Sequence, residues 1–136
     1  MVTGPEHLNA DALEFVRERH LATLTSLRAD GTPHVVPVGF SWDPDRRLAR
    51  VITDGSSTKA RIAAKGGRVA LCQVHGRHWL TLEGTSTVSR DRTRVDEAVA
   101  RYTERYRTPR ENPNRVVIEI AVDRVLASPG LLDPQP

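Results

Sequence analysis

A chain of 136 residues has room for one domain, spanning 1–136, and not for two. With 38% hydrophobic and 27% charged residues it has the makeup of a globular chain that buries a core, which excludes intrinsic disorder. Its formal charge of +3, from 20 basic against 17 acidic residues, is too small an excess to indicate a nucleic-acid partner, and aromatic residues at 4% are too few to stack bases along a strand.

Of the 20 basic residues only Lys59 and Lys65 are Lys, and the rest are Arg, so a compact ammonium is rare here and worth locating. One cysteine, Cys72, excludes an internal disulfide and a Cys-rich zinc site. No apolar run reaches about 18 residues, and the N-terminus carries Glu6 and Asp11 where a secretory leader would be basic and then apolar. The expectation is a soluble, cytoplasmic protein with no membrane partner.

Leu8-Asn9-Ala10-Asp11-Ala12-Leu13 predicts a helix start, with Asn9 as N-cap, Asp11 in the first turn, and Leu8 and Leu13 spaced as a hydrophobic staple; the helix is expected to end near His20. From Leu21 a Leu, Thr and Val pattern is broken by Ala29-Asp30-Gly31 and resumes through Thr32-Pro33-His34 into Val35-Val36-Pro37-Val38-Gly39-Phe40, which is a hairpin. Two prolines in its second arm place that strand at an edge or make it irregular, leaving backbone groups free for a ligand. Asp43-Pro44-Asp45 turns the chain into a third strand, Leu48 to Thr53, which stops at Asp54-Gly55. Ser56-Ser57-Thr58-Lys59 then opens a short helical stretch, Ala60 to Lys65, closed by Gly66-Gly67. Strands four and five, Val69 to Val74 and Trp79 to Gly84, flank a His75-Gly76-Arg77-His78 turn. Asp91 begins a helix with Val95, Val99, Tyr102 and Tyr106 at helical spacing, ended by Thr108-Pro109. In the last strand Val116, Ile118, Ile120 and Val122 alternate with Val117, Glu119, Ala121 and Asp123. The proline-bearing tail after Leu126 is expected to be a loose end.

Six strands joined mostly by tight turns, with peripheral helices and no βαβ rhythm, predict an antiparallel barrel. A barrel this small has a filled interior, so a ligand must sit on its rim or between two copies. The strongest candidate site is the segment from Arg50 to Lys59, where hydroxyls, turn backbone and an ammonium converge as an anion site requires; an ordinary N-capped surface helix is the other reading of the same residues. It is not a Walker A loop, because no Gly-Lys-[Ser/Thr] follows Gly55. His75 and His78 lack a third ligand at a supporting spacing and read as turn residues, not as a metal pair. Cys72 in its apolar strand reads as a small buried hydrophobe.

The order Thr32-Pro33-His34-Val35-Val36-Pro37-Val38, Arg50-Val51-Ile52-Thr53, Ser57-Thr58-Lys59-Ala60-Arg61, Trp79-Leu80-Thr81-Leu82-Glu83-Gly84 resembles the pyridoxamine-phosphate-oxidase-like split-barrel family over nearly the whole chain. Within it, Arg105-Tyr106-Arg107-Thr108-Pro109-Arg110 and Arg115-Val116-Val117-Ile118-Glu119 are similar to a deazaflavin-dependent actinobacterial branch that reduces biliverdin with coenzyme F420. The resemblance implies a mainly β fold, a six-stranded antiparallel split β-barrel with peripheral helices, assembled as a homodimer with two cofactor sites at the subunit interface. It implies that the strand His34, Val35, Val36, Pro37 and Val38, the pair Ile52 and Thr53, and Ser57-Thr58-Lys59 hold the chain and phosphate of the cofactor, with Lys59 and Thr58 on the phosphate, Ile52 and Thr53 lining the ring and chain, and Ala60 and Arg61 also cofactor-binding. It implies further that His78, Trp79, Leu80 and Thr81 contact the cofactor from the facing strand.

Two departures from the oxidase pattern count against FMN and pyridoxamine phosphate as ligands. The stretch Val35-Val36-Pro37-Val38-Gly39 lacks a basic residue at each end, and the C-terminal Trp-x-Arg substrate motif is missing. The implied activity is hydride transfer from the reduced deazaflavin to the central methine of biliverdin, yielding bilirubin. Both ligands are anionic, through a phosphate and an acidic tail in one and two propionates in the other, which suits an Arg-rich rim. The proton for the pyrrole nitrogen would come from water held by a pocket Arg or by His34. A non-catalytic carrier of deazaflavin or tetrapyrrole, or an FMN-dependent oxidoreductase of the same fold, is the alternative.

Overall fold

In the computed structural model, which describes residues 2–134, Asn9 caps the first helix as its position predicts, its side chain accepting from the Ala12 N–H at 3.0 Å. A turn of 3-10 helix, Pro5–His7, precedes this helix, α1, Ala10–Phe15. The helix ends at Phe15, well before His20. Two carbonyls in the region expected to be helical are held from elsewhere: Glu18 O accepts from Arg105 Nε at 2.8 Å and His20 O from the Tyr106 hydroxyl at 2.6 Å. Those bonds turn the chain into the first strand.

The strands are β1, Ala22–Leu27; β2, Pro33–Val38; β3, Ser41–Asp43; β4, Leu48–Asp54; β5, Arg68–His75; β6, His78–Ser89; and β7, Arg115–Ala127. Two more helices, α2, Thr58–Ala63, and α3, Arg92–Arg105, interrupt them. All pairings are antiparallel, in the sheet order β2-β1-β5-β6-β7-β4-β3. The described residues therefore form seven strands and not six. The additional one is β3, which arises because the peptide of Phe40 is taken out of the hairpin. Its carbonyl accepts from Arg105 at 2.7 Å and its N–H donates to Tyr106 Oη at 3.3 Å, so the chain leaves β1 at Val38 and pairs Ser41, Trp42 and Asp43 with β4.

Leu24, Val38, Trp42, Val51, Leu71, Leu82 and Ile118, one from each strand, belong to a single buried cluster, so the sheet curls around one core. The period-two pattern of β7 places Val116, Ile118 and Ile120 inward, but Val117 is also wholly buried, because Val95 and Ala98 of α3 cover the outer face there. Between Glu83 and Gly84 the β6–β7 register shifts, leaving Asp123 unpaired as a bulge. Gly84 is required at this point, since a Cβ would collide with the Ala121 carbonyl. The C-terminal segment is docked where a loose end was expected. Leu131 is buried, its carbonyl accepts from the Asn9 N–H, and Leu132 bridges to Leu8; Gln135 and Pro136 lie outside the described residues.

Candidate functional site

Thr53, next to last in β4, lies on the inward face, and its hydroxyl is 3.1 Å from Ser57 Oγ, which in turn accepts from the Ala60 N–H as the cap of α2. Between them Asp54 builds the turn. Its carboxylate accepts from the Ser56 N–H at 2.8 Å and the Ser56 hydroxyl at 2.5 Å, and from the side-chain amides of Asn112 and Asn114, both at 3.0 Å. The Ser56 hydroxyl and N–H, followed by the Asn112 amide, hold the Asp54 carboxyl well below the usual carboxylate range. Lys59 lies in the first turn of α2, half-buried, with no hydrogen-bond or ion-pair partner among the described residues. Helix α2 has only six residues, so the ammonium and the hydroxyls, and not a helix dipole, carry the attraction for an anion here.

β2 is the terminal strand, hydrogen-bonded to β1 alone, as its two prolines predict. His34 and Val36 share the inward face with Ser26 and Leu24, whereas Val35 and Pro37 are exposed on the outward face. His34 Nδ1 and Ser26 Oγ, cross-strand neighbours, are both buried without a hydrogen-bond partner. Such groups are costly unless something completes them.

The remaining expected site residues divide between the faces of the sheet. Trp79 and Thr81 lie outward, Trp79 being 36% exposed, while Leu80 between them is buried in the core. His78 is exposed beside the β5–β6 turn, with Phe15 edge-on to its ring at 6.2 Å. Val38 and Ala60 are buried, Ile52 packs against the α3 side of β7 with Val99, and Thr58 and Arg61 are exposed on α2. One chain thus brings together Thr53, Ser57 and Lys59, and sets Val35, Pro37, Trp79 and Thr81 on the opposite face. Cys72 is half-buried on that outward face, opposite Thr81, more exposed than its apolar strand suggests.

Among the described residues no group of three His, Cys, Asp or Glu side chains is placed to hold a metal ion, and no helix is long and apolar enough to cross a membrane.

The basic segment from Arg105 to Arg110 has no role legible in the sequence, and the structure divides it. The Arg105 guanidinium is buried, whereas Arg107 lines a groove of about 340 Å³ with Arg19, His20, Leu21, Tyr102 and Tyr106. A second groove, of about 330 Å³, shares Tyr102 and Arg107 and adds Arg110. Gly39, at the end of β2, lets the tyrosines approach, since a Cβ there would lie 2.9 Å from Tyr106 Cε2. Burial pushes the Tyr106 hydroxyl above its ordinary range, more than the nearby Arg105 lowers it. An aromatic wall flanked by guanidiniums suits a flat anionic molecule. Helical spacing of Tyr102 and Tyr106 was the available signal, but it reads equally as core packing.

Comparison with known proteins identifies the family. The family model described as pyridoxamine 5'-phosphate oxidase matches residues 8–128. A Mycobacterium tuberculosis protein named F420H(2)-dependent biliverdin reductase is 55% identical over 133 residues, covering 98% of this chain and 97% of that protein. Among solved structures, a conserved hypothetical protein of Mycobacterium tuberculosis superposes with a TM-score of 0.75 at 20% identity, covering 88% of this chain and 82% of the other. A structure described as an F420 reductase superposes with a TM-score of 0.68 at 21% identity, covering 83% and 94%. At those identities the two structures show the shared fold.

Proposed function

Because the chain belongs to the pyridoxamine 5'-phosphate oxidase family, we propose that it is a coenzyme F420-dependent oxidoreductase that reduces biliverdin to bilirubin and works as a homodimer. The mycobacterial relative named for this reaction supports the activity, and the one structural observation that carries the site is the unpartnered Lys59 ammonium beside Ser57 and Thr58. The residues fit the coenzyme. A phosphate needs a cation and hydroxyl donors, and Thr58, Lys59 and the turn built by Asp54 supply them. Orphaned His34 Nδ1 lies on the edge strand expected to contact the cofactor, with Ser26 Oγ opposite it on β1.

When bound, the reduced deazaflavin supplies a hydride, which with one proton accounts for the two-electron reduction of the tetrapyrrole. The protein's share is to position, shield and complement charge. Lys59 and Thr58 hold the phosphate, Thr53 and the edge of β2 fix the chain and ring, and His34 orders the water that delivers the proton. Tyr102 offers a flat wall to the substrate, and Arg107 and Arg110 complement its propionates.

Homodimer formation is supported by the outward face of the sheet, where Leu27, Val35, Val74, Trp79 and Leu126 are all large, apolar and at least 36% exposed. Large apolar residues exposed on one face mark an interaction surface. A second copy docked on it covers Val35, Pro37, Trp79 and Thr81, the expected site residues that one chain sets on this face.

Replacing Lys59 tests the phosphate assignment. Equilibrium titration of Lys59→Ala with coenzyme F420 should show affinity about 10- to 100-fold weaker than wild type, the loss expected for one charge-assisted contact. Unchanged affinity would remove Lys59 from the site.

A further inference from the structure

Between the end of α1, strand β3 and the last turns of α3 lies a cavity of about 250 Å³, walled by Arg17, Ser41, Trp42, Arg101, Glu104 and Arg105. None of these residues is used by the site around Lys59. Arg105 is the unusual member. It is 9% exposed, yet its guanidinium donates only to neutral acceptors: Glu18 O at 2.8 Å, Phe40 O at 2.7 Å and Gln73 Oε1 at 2.6 Å. It has no ion-pair partner among the described residues, although the chain pairs its other buried guanidinium, Arg50, with Asp43 at 3.1 Å. A buried cation without a counter-charge is costly. Three bonds also leave two of the five guanidinium N–H groups unassigned.

The rest of the wall is short of acceptors too. Ser41 Oγ and Trp42 Nε1, in residues that line the cavity, are buried with no hydrogen-bond partner among the described residues, and an indole N–H can only donate. Arg101 reaches Asp43 at 3.2 Å and Glu97 at 3.5 Å, sharing those carboxylates with Arg50, and Arg17 touches only Glu14 at 3.5 Å. The single carboxylate on the wall, Glu104, is exposed. Unsatisfied donors, three guanidiniums and a missing counter-charge all call for an acceptor bearing negative charge. The volume lies below the roughly 300–1,000 Å³ of pockets for drug-sized ligands, so a tetrapyrrole or deazaflavin does not fit.

We propose that this cavity is a second anion site, separate from the coenzyme site, which takes a small oxyanion of the carboxylate or phosphate type. Occupancy completes the Arg105 hub, which ties the chain after α1, the β2–β3 connection and β5 together. Through Phe40 the site is linked to the end of β2.

The chain has two tryptophans, so its indole N–H resonances make a direct probe. Full-length protein is titrated separately with succinate and with inorganic phosphate at constant ionic strength, with Trp79→Phe identifying the two signals. The expected result is a saturable shift of the Trp42 resonance with at least one anion, while Trp79 stays in place. Arg101→Gln should weaken that binding about tenfold, as loss of one charged contact does, and Lys59→Ala should leave it unchanged. Arg17→Ala, at an exposed position, serves if Arg101→Gln does not fold. The stronger of the two anions identifies the ligand type. A shift that never saturates, one reproduced by chloride, or one abolished by Lys59→Ala but not by Arg101→Gln or Arg17→Ala would overturn the proposal.

Discussion

Asp54 shapes the approach to Lys59 more than any other single residue, because one carboxylate collects four hydrogen bonds from Ser56, Asn112 and Asn114. With its folded pKa depressed, its stabilising contribution is fully present above the unfolded value of about 3.9 and is lost as pH falls through the lower folded value. Urea unfolding of wild type and Asp54→Asn should therefore differ by a constant amount at neutral pH, and the gap should shrink below about pH 4. A gap independent of pH would show that the carboxylate's charge is not what holds the turn. In the sequence Asp54 reads only as the stop of a strand, since its amide partners lie some 60 residues away. Lys59 is legible because so few lysines compete with it. Arg105 is not: a guanidinium in a basic run reads as solvated, and only the carbonyls of Glu18 and Phe40 reveal that it is buried.

Elements were legible where a local signal decides them, as at the Asn9 and Asp91 caps, the edge position of the proline-bearing β2, and the alternation of β7. They were not where a distant side chain intervenes. Tyr106 and Arg105 shorten α1 and split off β3 by taking hold of the His20, Glu18 and Phe40 backbone, and no pattern within those segments announces it. The outward face of β2, β1, β5 and β6 combines both cases, because alternation marks which residues point outward and only the register shows that Val35, Val74 and Trp79 share one surface. Val74 is 62% exposed in one chain and is expected to be covered in the dimer. Wild type should sediment as a dimer at micromolar concentration, and Val74→Glu should shift it toward monomer with its circular dichroism unchanged. A wild-type monomer, or a dimer indifferent to the substitution, would place the interface elsewhere.

At the scale of the molecule, the charge of +3 from nearly all-Arg cations is better understood as distributed function than as an affinity for polyanions. Arg105 and Arg101 converge on a cavity, Arg107 and Arg110 on the tyrosine groove, and Lys59 stands alone by the Asp54 turn. A curled antiparallel sheet could be anticipated from turn spacing, but the fold alone does not choose a reaction. That choice rests on the coenzyme, so the most direct measurement is an anaerobic reaction of the purified protein with reduced coenzyme F420 and biliverdin, followed by absorbance. The account predicts protein-dependent loss of biliverdin matched one to one by oxidised deazaflavin. No transfer beyond the protein-free control, or transfer from reduced FMN but not from reduced F420, would contradict it.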